Sequence, residues 1–442
     1  MAHIEIKDLN FKYPQSDKEI LSGINLSIEK GEIVVVCGKT GSGKSTLLAN
    51  LKKEKAPAGD LSGEIKTEAE KIGFVFQNPE HQVVTDKVYS ELAFGLENEG
   101  VPADEIKLRV AEISEYFGIT DWYFKKVDEL SGGQKQILNL AAVVVTNPDV
   151  LVLDEPIAML DPIAKETLLH LLGRINRDFG TTIIMAEHDV KKVEYLANKI
   201  VAIKDGAISN DVSEWLEDKE ISRNVANADE EKVLECKNVW FRYHKNSPDV
   251  LRGLKFSANK GETFCMLGGN GTGKTTALMI IRKVLKAYRG KVKTDQKIGL
   301  MPQDAKLLFS YETVREELEN SYKDEEERNR IIEEFELEDL LETHPYDLSG
   351  GEQEKLGIVK VLSTNPDILL LDEPTKGLDI FLKEDFAKLF GTLKAEGKTI
   401  IVVTHDIDFC KRVADRCGLF AQGELIGINS SEEFFKELKF YK

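Results

Sequence analysis

The sequence predicts an α/β protein built from two similar domains in tandem. Its 442 residues are too many for one ordinary hydrophobic core. The order of segments occurs twice, because VVVCGKTGSGKSTLL in the first half corresponds to TFCMLGGNGTGKTTAL in the second. Short apolar runs such as IVVVCG and VLVLDEP are rich in β-branched residues, which is typical of buried parallel strands. A helical spacing of apolar residues follows in KQILNLAAVVV.

The duplication sets the expected domain boundaries. The first domain is expected at 1–224, a short polar linker at 225–232 and the second domain at 233–442. A polar, helix-prone segment between Glu91 and Lys126 predicts a separate helical lobe. Its counterpart in the second half, DEEERNRIIEEFELEDLLE, is most simply a solvated helix face.

The composition excludes several classes of protein. A hydrophobic content of 42% and a charged content of 31% are those of a globular chain. The net charge of −18 argues against nucleic-acid binding through overall electrostatics, although it leaves a local basic patch open. No apolar run is long enough to span a bilayer, and MAHIEIKDLN lacks the layout of a signal peptide. The five cysteines form no CxxC and are expected to be reduced thiols.

Two glycine-rich loops fit the pattern G-x-x-x-x-G-K-[ST]. Glycines let successive backbone N–H groups turn towards phosphate oxygens, and the following helix presents its positive end to the same charge. Lys44 and Lys274 are expected to reach the phosphates, while Ser45 and Thr275 are expected to ligate Mg²⁺. The loop residues predicted to bind nucleotide are Gly38, Lys39, Thr40, Gly41, Ser42, Gly43, Lys44, Ser45 and Thr46, and Gly268, Gly269, Asn270, Gly271, Thr272, Gly273, Lys274, Thr275 and Thr276.

Two carboxylates end each of the strands VLVLDEP and ILLLDEP. Asp154 and Asp372 suit the Mg²⁺ shell, and Glu155 and Glu373 suit orientation and polarisation of an attacking water. Paired buried acids are costly without a cation, so the pairing itself indicates a metal. A lone Asp-Glu after a strand is often structural, but here each pair accompanies a phosphate loop.

A histidine follows a later apolar strand in each half. For one such residue the simpler interpretation is a core histidine with satisfied hydrogen bonds. His188 and His405 occupy the same position in the two copies, which favours a contact with the γ-phosphate.

The motifs LSGGQ and LSGGE place a serine and two glycines before a helix. Ser131 and Ser349 are predicted N-caps, and capping alone would account for them. Two glycines weaken a helix start, so we interpret the motif as a place where an anion approaches the backbone. The nucleotide-binding residues expected here are Ser131, Gly132, Gly133 and Gln134, and Ser349, Gly350 and Gly351. Tyr13 and Tyr243, upstream of the loops, are candidates for stacking on adenine.

This ordered set of motifs resembles the ATPase subunits of ABC proteins, and it does so twice over nearly the whole chain. The resemblance implies a RecA-like core, an antiparallel β-subdomain and a helical signature subdomain. It also implies that the halves close head-to-tail over two ATP molecules, with Asp161 and Asp379 at the interface. Gln77 and Gln303 become candidate catalytic and Mg²⁺-binding residues. Glu352 in the signature, and Ile157 and Met159 in IAMLD, depart from the pattern, yet both sites are expected to hydrolyse ATP.

The stretch FQNPEHQVVTDKV narrows the resemblance further. It is similar to the segment after Gln77 in ATPases of energy-coupling factor (ECF) transporters, including the cobalt and nickel type. There a short helix running through a second glutamine, here Gln82, lines the groove for a transmembrane coupling protein. Asn78-Pro79 suits the start of such a helix; the alternative is a surface loop without a partner. In the second copy, 304–306 lacks the Asn-Pro and the second Gln, so the halves are expected to meet different parts of an asymmetric partner.

The ECF resemblance implies a function and a location. The chain would drive vitamin or metal-ion import, bound at the cytoplasmic face of the cell membrane through a coupling protein and a substrate-binding membrane subunit, without nucleic acid. A soluble tandem ATPase acting on ribosomes is the alternative from another class, although such proteins usually have a long charged linker. The ATPase of an ordinary, non-ECF ABC transporter is a further alternative. A DNA-repair ATPase would need a long heptad insertion, and none is visible.

Overall fold

The computed structural model describes residues 2–14, 16, 18–216, 231–269 and 271–438. The chain divides into two compact units, Met1–Asp218 and Lys219–Lys442. Most of the predicted linker and Asn270 lie outside the described residues. Lys232, the last residue assigned to that linker, already begins a strand. No helix in the described ranges is both long and apolar enough to cross a bilayer.

The first unit contains two sheets. Three antiparallel strands form one sheet in the order β2-β1-β4, and six strands form the other in the order β5-β6-β7-β3-β8-β9, parallel except for the last pair. The strands are β1 Ile4–Lys12, β2 Leu21–Ile28, β3 Ile33–Cys37, β4 Asp60–Thr67, β5 Ile72–Val75, β6 Val150–Asp154, β7 Thr182–Ala186, β8 Lys199–Lys204 and β9 Ala207–Ser209.

The helices of the first unit flank the larger sheet. The α-helices are α1 Lys44–Asn50, α2 Val88–Asn98, α3 Ala103–Phe117, α4 Gly132–Val144, α5 Pro162–Phe179, α6 Val190–Val193 and α7 Ser213–Leu216. Short 3₁₀ helices span Lys53–Lys55, Pro79–His81, Thr120–Trp122, Val127–Glu129 and Glu194–Leu196. Helices α2 and α3 pack on α4 and form the predicted helical lobe.

The second unit repeats this arrangement. Its small sheet has the order β11-β10-β13 and its large sheet the order β14-β15-β16-β12-β17-β18. The strands are β10 Lys232–Phe241, β11 Leu251–Asn259, β12 Thr263–Leu267, β13 Arg289–Lys293, β14 Ile298–Met301, β15 Ile368–Asp372, β16 Thr399–Thr404, β17 Arg416–Ala421 and β18 Glu424–Ser430. The α-helices are α8 Lys274–Ile281, α9 Val314–Ser321, α10 Glu325–Glu334, α11 Gly350–Leu362, α12 Ile380–Ala395, α13 Ile407–Val413 and α14 Ser431–Glu437, with 3₁₀ helices at Ala305–Leu308, Glu338–Leu340 and Pro345–Asp347.

Each large sheet separates two hydrophobic cores. In β3, Val35 faces the core shared with the helices, whereas Val34 and Val36 face the core shared with the small sheet. Strand β12 divides its side chains in the same way. Because both faces are buried, the central strands are mostly apolar, and β6 and β15 each end in an aspartate at the carboxyl end. The acids that follow these strands therefore lie at one edge of each large sheet. The predicted α/β class with two nucleotide-binding domains is confirmed.

Candidate active site

The phosphate loop of each unit joins a central strand to a short helix. Gly41 and Gly43 have φ of +78° and +99°, a region that glycine enters without steric cost. A side chain at Gly38 would overlap Ser42 Oγ. Gly271 and Gly273 repeat the positive angles in the second unit. The backbone therefore has the shape of an anion-binding concavity at the start of α1 and of α8.

The lysine of each loop is buried inside it. Lys44 is 5% exposed, and its Nζ donates to the carbonyl oxygens of Gly38 at 2.9 Å and of Lys39 at 3.1 Å. It lies 3.5 Å from Glu155 Oε1. Lys274 makes the equivalent two bonds and lies 3.6 Å from Glu373 Oε1. These ammonium groups are placed where a phosphate chain in the loop would meet them.

Oxygen ligands suited to Mg²⁺ lie beside both loops. Ser45 Oγ donates to Asp154 Oδ1 at 3.0 Å. Asp372 is 3% exposed, and its Oδ1 is buried without a hydrogen-bond partner in the described part of the chain. Burial raises the pKa of each of these aspartates to about 6. Hydroxyl and carboxylate oxygens are the donors that Mg²⁺ prefers, so these residues fit the ion.

The glutamate after each aspartate has an unusual backbone. Glu155 and Glu373 have φ of +44° and +53°, which costs free energy for a residue with a side chain. Bonds from their amides to the carbonyls of Ala186 (3.1 Å) and Val403 (2.8 Å) hold this geometry against the neighbouring strand. Each carboxylate is thereby directed towards its phosphate loop and the lysine there.

Glu155 has more than one polar partner. Its Oε2 accepts from Gln77 Nε2 at 2.8 Å, and its Oε1 lies 3.5 Å from His188 Nδ1. Burial alone would raise the pKa of Glu155, but the contacts with His188 and Lys44 outweigh it and lower the pKa. The side chain is therefore held as an anion, the form that a general base requires.

Glu373 is held differently. Its Oε2 accepts from the backbone N–H of His405 at 3.2 Å and lies 3.0 Å from His405 Nδ1. His405 and Lys274 again outweigh burial and lower its pKa. Gln303, in contrast to Gln77, is exposed and makes no side-chain hydrogen bond within the described ranges. The structure thus brings His405 to the second glutamate but does not bring Gln303 there.

The signature serines are N-caps, as predicted. Ser131 Oγ accepts from the amide of Gln134 at 3.3 Å, and Gln134 Oε1 accepts from the amide of Ser131 at 2.8 Å. Ser349 and Glu352 form the same reciprocal capping box. Glutamate and glutamine both offer the needed oxygen, which explains how Glu352 can replace the usual glutamine. The amide oxygen of Gln134 is used for capping, and its predicted nucleotide contact stays a prediction.

The two signature glycines of each unit have different surroundings. Gly132 and Gly350 face open space. A Cβ on Gly133 would lie 2.9 Å from the Ala164 Cβ, and one on Gly351 would overlap Leu382. The second glycine is therefore needed for close packing of the signature helix against α5 or α12. The first glycine has free space in the direction of a Cβ, and the nucleotide contact of both glycines stays a prediction.

The tyrosines upstream of the loops are fixed beside them. Tyr13 OH lies 2.9 Å from Thr46 Oγ1, and Tyr243 OH lies 3.0 Å from Thr276 Oγ1. Both residues are exposed, at 39% and 57%. Each tyrosine is thus tethered to the first turn of the loop helix with its ring available for stacking, the geometry that an adenine contact requires.

The aspartates expected at the domain interface also cap helices. Asp161 Oδ1 accepts from Ala164 N at 2.9 Å, and Asp379 Oδ1 accepts from Leu382 N at 2.9 Å. They begin α5 and α12, the helices on which the second signature glycines pack. Capping by aspartate is a common reason for an acid at this position.

The segment after Gln77 forms the expected short helix, Pro79–His81. Asn78 caps it by accepting from the amide of Glu80 at 3.0 Å. The side chain of Gln82 turns back onto β5, accepting from Phe76 N at 3.0 Å and donating to Phe74 O at 3.2 Å. The side chain of Gln82 thus completes the edge of the sheet, and the groove-lining role of the helix stays a prediction. The second unit also has a helix here, Ala305–Leu308, capped by Asp304.

Two charged residues near the sites were missed. Glu187 is fully buried next to His188, and burial together with nearby negative charge holds its pKa well above the ordinary value. Lys376 follows Glu373 in the chain, and burial lowers its pKa although Glu373 and Asp372 oppose the shift. An acid inside the apolar run IIMAEHD was the available signal for Glu187.

Comparisons with known proteins agree with this geometry. The family described as ABC transporter matches residues 21–158 and 251–376. A putative ABC transporter ATP-binding protein of Bacillus cereus is 37% identical over 518 aligned residues, covering 100% of this chain and 94% of that protein. One from Methanosarcina acetivorans is 27% identical over 556 aligned residues, covering 99% of this chain and 86% of the other.

Among solved structures, this chain is similar to one in a model of ribosome-bound archaeal Pelota and ABCE1, with a TM-score of 0.74 and 21% sequence identity. The match covers 96% of this chain and 79% of that one. At this identity the likeness concerns the fold. The family match spans both phosphate loops and both acid pairs, and the Bacillus cereus relative extends it to the full length. The chain therefore belongs to the ABC transporter ATP-binding family and is a tandem, ATP-hydrolysing ABC enzyme.

Proposed function

We propose that this chain is the energy-coupling ATPase of an ECF-type importer for a vitamin or metal ion, attached to the cytoplasmic face of the membrane through its partners. The segment from Asn78 to Gln82 carries the proposal. It is an ordered, capped helix directly after Gln77, and Gln77 bonds to the proposed catalytic Glu155. A membrane partner that touched this helix would therefore act two residues away from a side chain of the ATP site.

The helix is also tied to the signature helix α4. Lys135 Nζ donates to Glu80 Oε1 at 2.6 Å, and Asn139 Nδ2 donates to Pro79 O at 2.9 Å. Lys135 lies four residues after Ser131, which begins α4. Movement of 79–81 by a partner would thus be transmitted to the start of α4, where the signature glycines lie. This mechanical link supports an energy-coupling role.

The chemistry proposed for each unit follows from its contacts. Mg²⁺, when bound, neutralises charge on the phosphate oxygens. Lys44 and Lys274 bind the phosphate chain, and Ser45 with Asp154, and Thr275 with Asp372, hold the ion. Glu155 and Glu373 orient a water and accept its proton, while His188 and His405 fix these carboxylates. In this proposal the two units pair around two ATP molecules, as the family resemblance implies.

Turnover of two glutamate variants tests the assignment. Glu155→Gln and Glu373→Gln each keep the shape of the side chain but remove the base, so each should slow its own site. The ATP hydrolysis rate of the double variant should be about 100-fold lower. Lys7→Gln, on an exposed strand residue far along the chain from either motif, is the control and should keep the rate. If one single variant leaves the rate unchanged, the corresponding site does not contribute.

A pull-down in mild detergent from the source cell membranes tests the partner. We expect a small helical membrane protein together with a substrate-binding membrane subunit. Reversing the charge of the helix by Glu80→Lys should weaken this capture, while Lys306→Glu at the matching place of the second unit reports whether that helix contributes. Capture of ribosomal proteins would instead favour a soluble ATPase acting on ribosomes. A membrane protein that itself carries the whole substrate pathway would indicate an ordinary ABC transporter.

A further inference from the structure

Glu187 is a fully buried carboxyl group with no role in the mechanism above. It directly follows β7 and precedes His188. Its Oε1 accepts from the backbone N–H of Ile157 at 3.1 Å. Its Oε2 is buried and has no hydrogen-bond partner in the described part of the chain. A buried carboxyl group with only one hydrogen-bonded oxygen lowers the stability of the fold, so its presence needs an explanation.

The position of Glu187 connects three parts of the first site. Its own amide donates to Val36 O at 3.0 Å, in the strand that leads into the phosphate loop. Its carboxyl holds Ile157, two residues after Glu155. Glu155 has a backbone φ of +44° and needs external support to keep that geometry. The bond to Ile157 N therefore fixes the turn that carries the strained glutamate.

The surrounding charges favour the neutral acid. Burial is the main cause of the raised pKa of Glu187, Glu155 and Asp189 raise it further, and the Ile157 amide and Lys165 oppose them. A neutral acid accepts the Ile157 bond without placing a second full negative charge beside Glu155. This avoids the repulsion that two carboxylates at close range would suffer.

The second unit fixes the same turn by other means. The residue corresponding to Glu187 is Thr404, whose Oγ1 accepts from Asp406 N at 3.0 Å. The residue corresponding to Ile157 is Thr375, whose hydroxyl donates to Asp406 Oδ2 at 3.3 Å. Ile157 has no hydroxyl to make such a bond. The first unit thus relies on Glu187 where the second relies on a threonine and an aspartate.

We infer that Glu187 is a positioning residue of the first ATP site, which holds Glu155 in place by binding the amide of Ile157. The inference rests on the proposed catalytic role of Glu155. Under this inference the first site needs a side-chain oxygen that binds the amide of Ile157, and the second site does not. Substitution of Glu187 should therefore slow the first site and leave the second unchanged.

The test isolates the first site in the full chain by working in the Glu373→Gln background. Glu187→Ala and Glu187→Thr should each lower kcat about tenfold, with KM for ATP changed less than twofold, because a displaced base slows the chemical step and not ATP binding. Glu187→Gln retains an oxygen for the Ile157 amide and should restore kcat to within about threefold of the parent. The matched control is Glu187→Ala in the Glu155→Gln background, where second-site hydrolysis should be unchanged.

Several outcomes would overturn the inference. An unchanged kcat in both Glu187→Ala and Glu187→Thr would remove the positioning role, and so would a rise in KM with kcat retained. Equal losses of kcat in Glu187→Gln and Glu187→Ala would show that the hydrogen bond from Ile157 N to a side-chain oxygen at position 187 does not maintain kcat. Thermal unfolding of each variant identifies any that fail to fold. If Glu187→Ala fails to fold, the comparison of kcat between Glu187→Gln and Glu187→Thr decides. If Glu155→Gln itself does not slow the first site, the assignment of Glu155 fails instead.

Discussion

The two units share one fold and one set of motifs, yet they hold their glutamates with different neighbours. In the first unit Glu155 is bonded by Gln77, and its turn is held by Glu187. In the second, Glu373 accepts from the backbone of His405, and Lys376 adds a nearby positive charge. A duplicated motif therefore specifies which groups lie beside the phosphate loop but not which neighbours hold each of them. Equal motifs need not give equal sites.

The edge of the large sheet shows the same principle. Gln82 pairs with two backbone groups at the end of β5 in the first unit. In the second unit the corresponding residues are Leu308 and, at the place of Phe76, Pro302. Leucine has no amide, and proline has no N–H to be satisfied. The first edge is closed by a side chain, whereas the second needs no such partner at that position.

The largest expected difference between the units is in the stability cost of substituting the second signature glycine. Gly133→Ala should lower the free energy of unfolding by about 1–3 kcal/mol, because its new Cβ meets Ala164, which has no rotamer to change. Gly351→Ala should cost less, since Leu382 can rotate away. Chemical denaturation of the full chain measures both. Gly132→Ala and Gly350→Ala are the matched controls, and a loss of stability in them as large as in Gly133→Ala would contradict the packing explanation.

Gln82→Leu places the leucine of the second unit at the sheet edge of the first, and its effect on stability should be smaller. Two hydrogen bonds to the strand are lost, so the free energy of unfolding should fall by about 1–2 kcal/mol and the Phe76 amide should exchange faster. Hydrogen exchange followed by mass spectrometry reports this locally. Leu308→Gln, the reverse change, should bring no matching gain because Pro302 lacks an N–H. Unchanged exchange at Phe76 would show that the Gln82 bonds are unimportant.

The smallest effect is a pH-dependent one at Glu354, the counterpart of Gln136. Its Oε2 is buried without a hydrogen-bond partner in the described ranges, and burial, with Asp304, holds its pKa well above the ordinary 4.5. As pH rises above 4.5 the unfolded chain releases this proton more easily than the folded one, so stability falls. Glu354→Gln should therefore raise the free energy of unfolding by about 1 kcal/mol at pH 8 and hardly at pH 4. Calorimetry at both pH values checks this, and an equal gain at both would exclude ionisation as the cause.

The sequence anticipated the features that depend on neighbours in the chain. The phosphate loops, the acids at strand ends, the serine caps and the short helix begun by Asn78-Pro79 all follow from local spacing, because each is formed within a few residues. Contacts between segments that are distant in the chain were not anticipated. The packing of Gly133 against Ala164, a residue of the following helix, is one example. The bonds from Gln82 back to the preceding strand are another.

The sequence by itself thus determined the class of the protein: two α/β units, each with a glycine-rich phosphate-loop motif, an aspartate at the end of a strand and a glutamate beside it. Only the tertiary structure decided which groups support that glutamate. Glu187 and Ile157 lie 30 residues apart in sequence, and an acid within an apolar run does not show which amide it will bind. The pairing of β6 with β7 brings their carboxyl ends together, and a buried carboxyl must find its partner among the groups that the sheet places there.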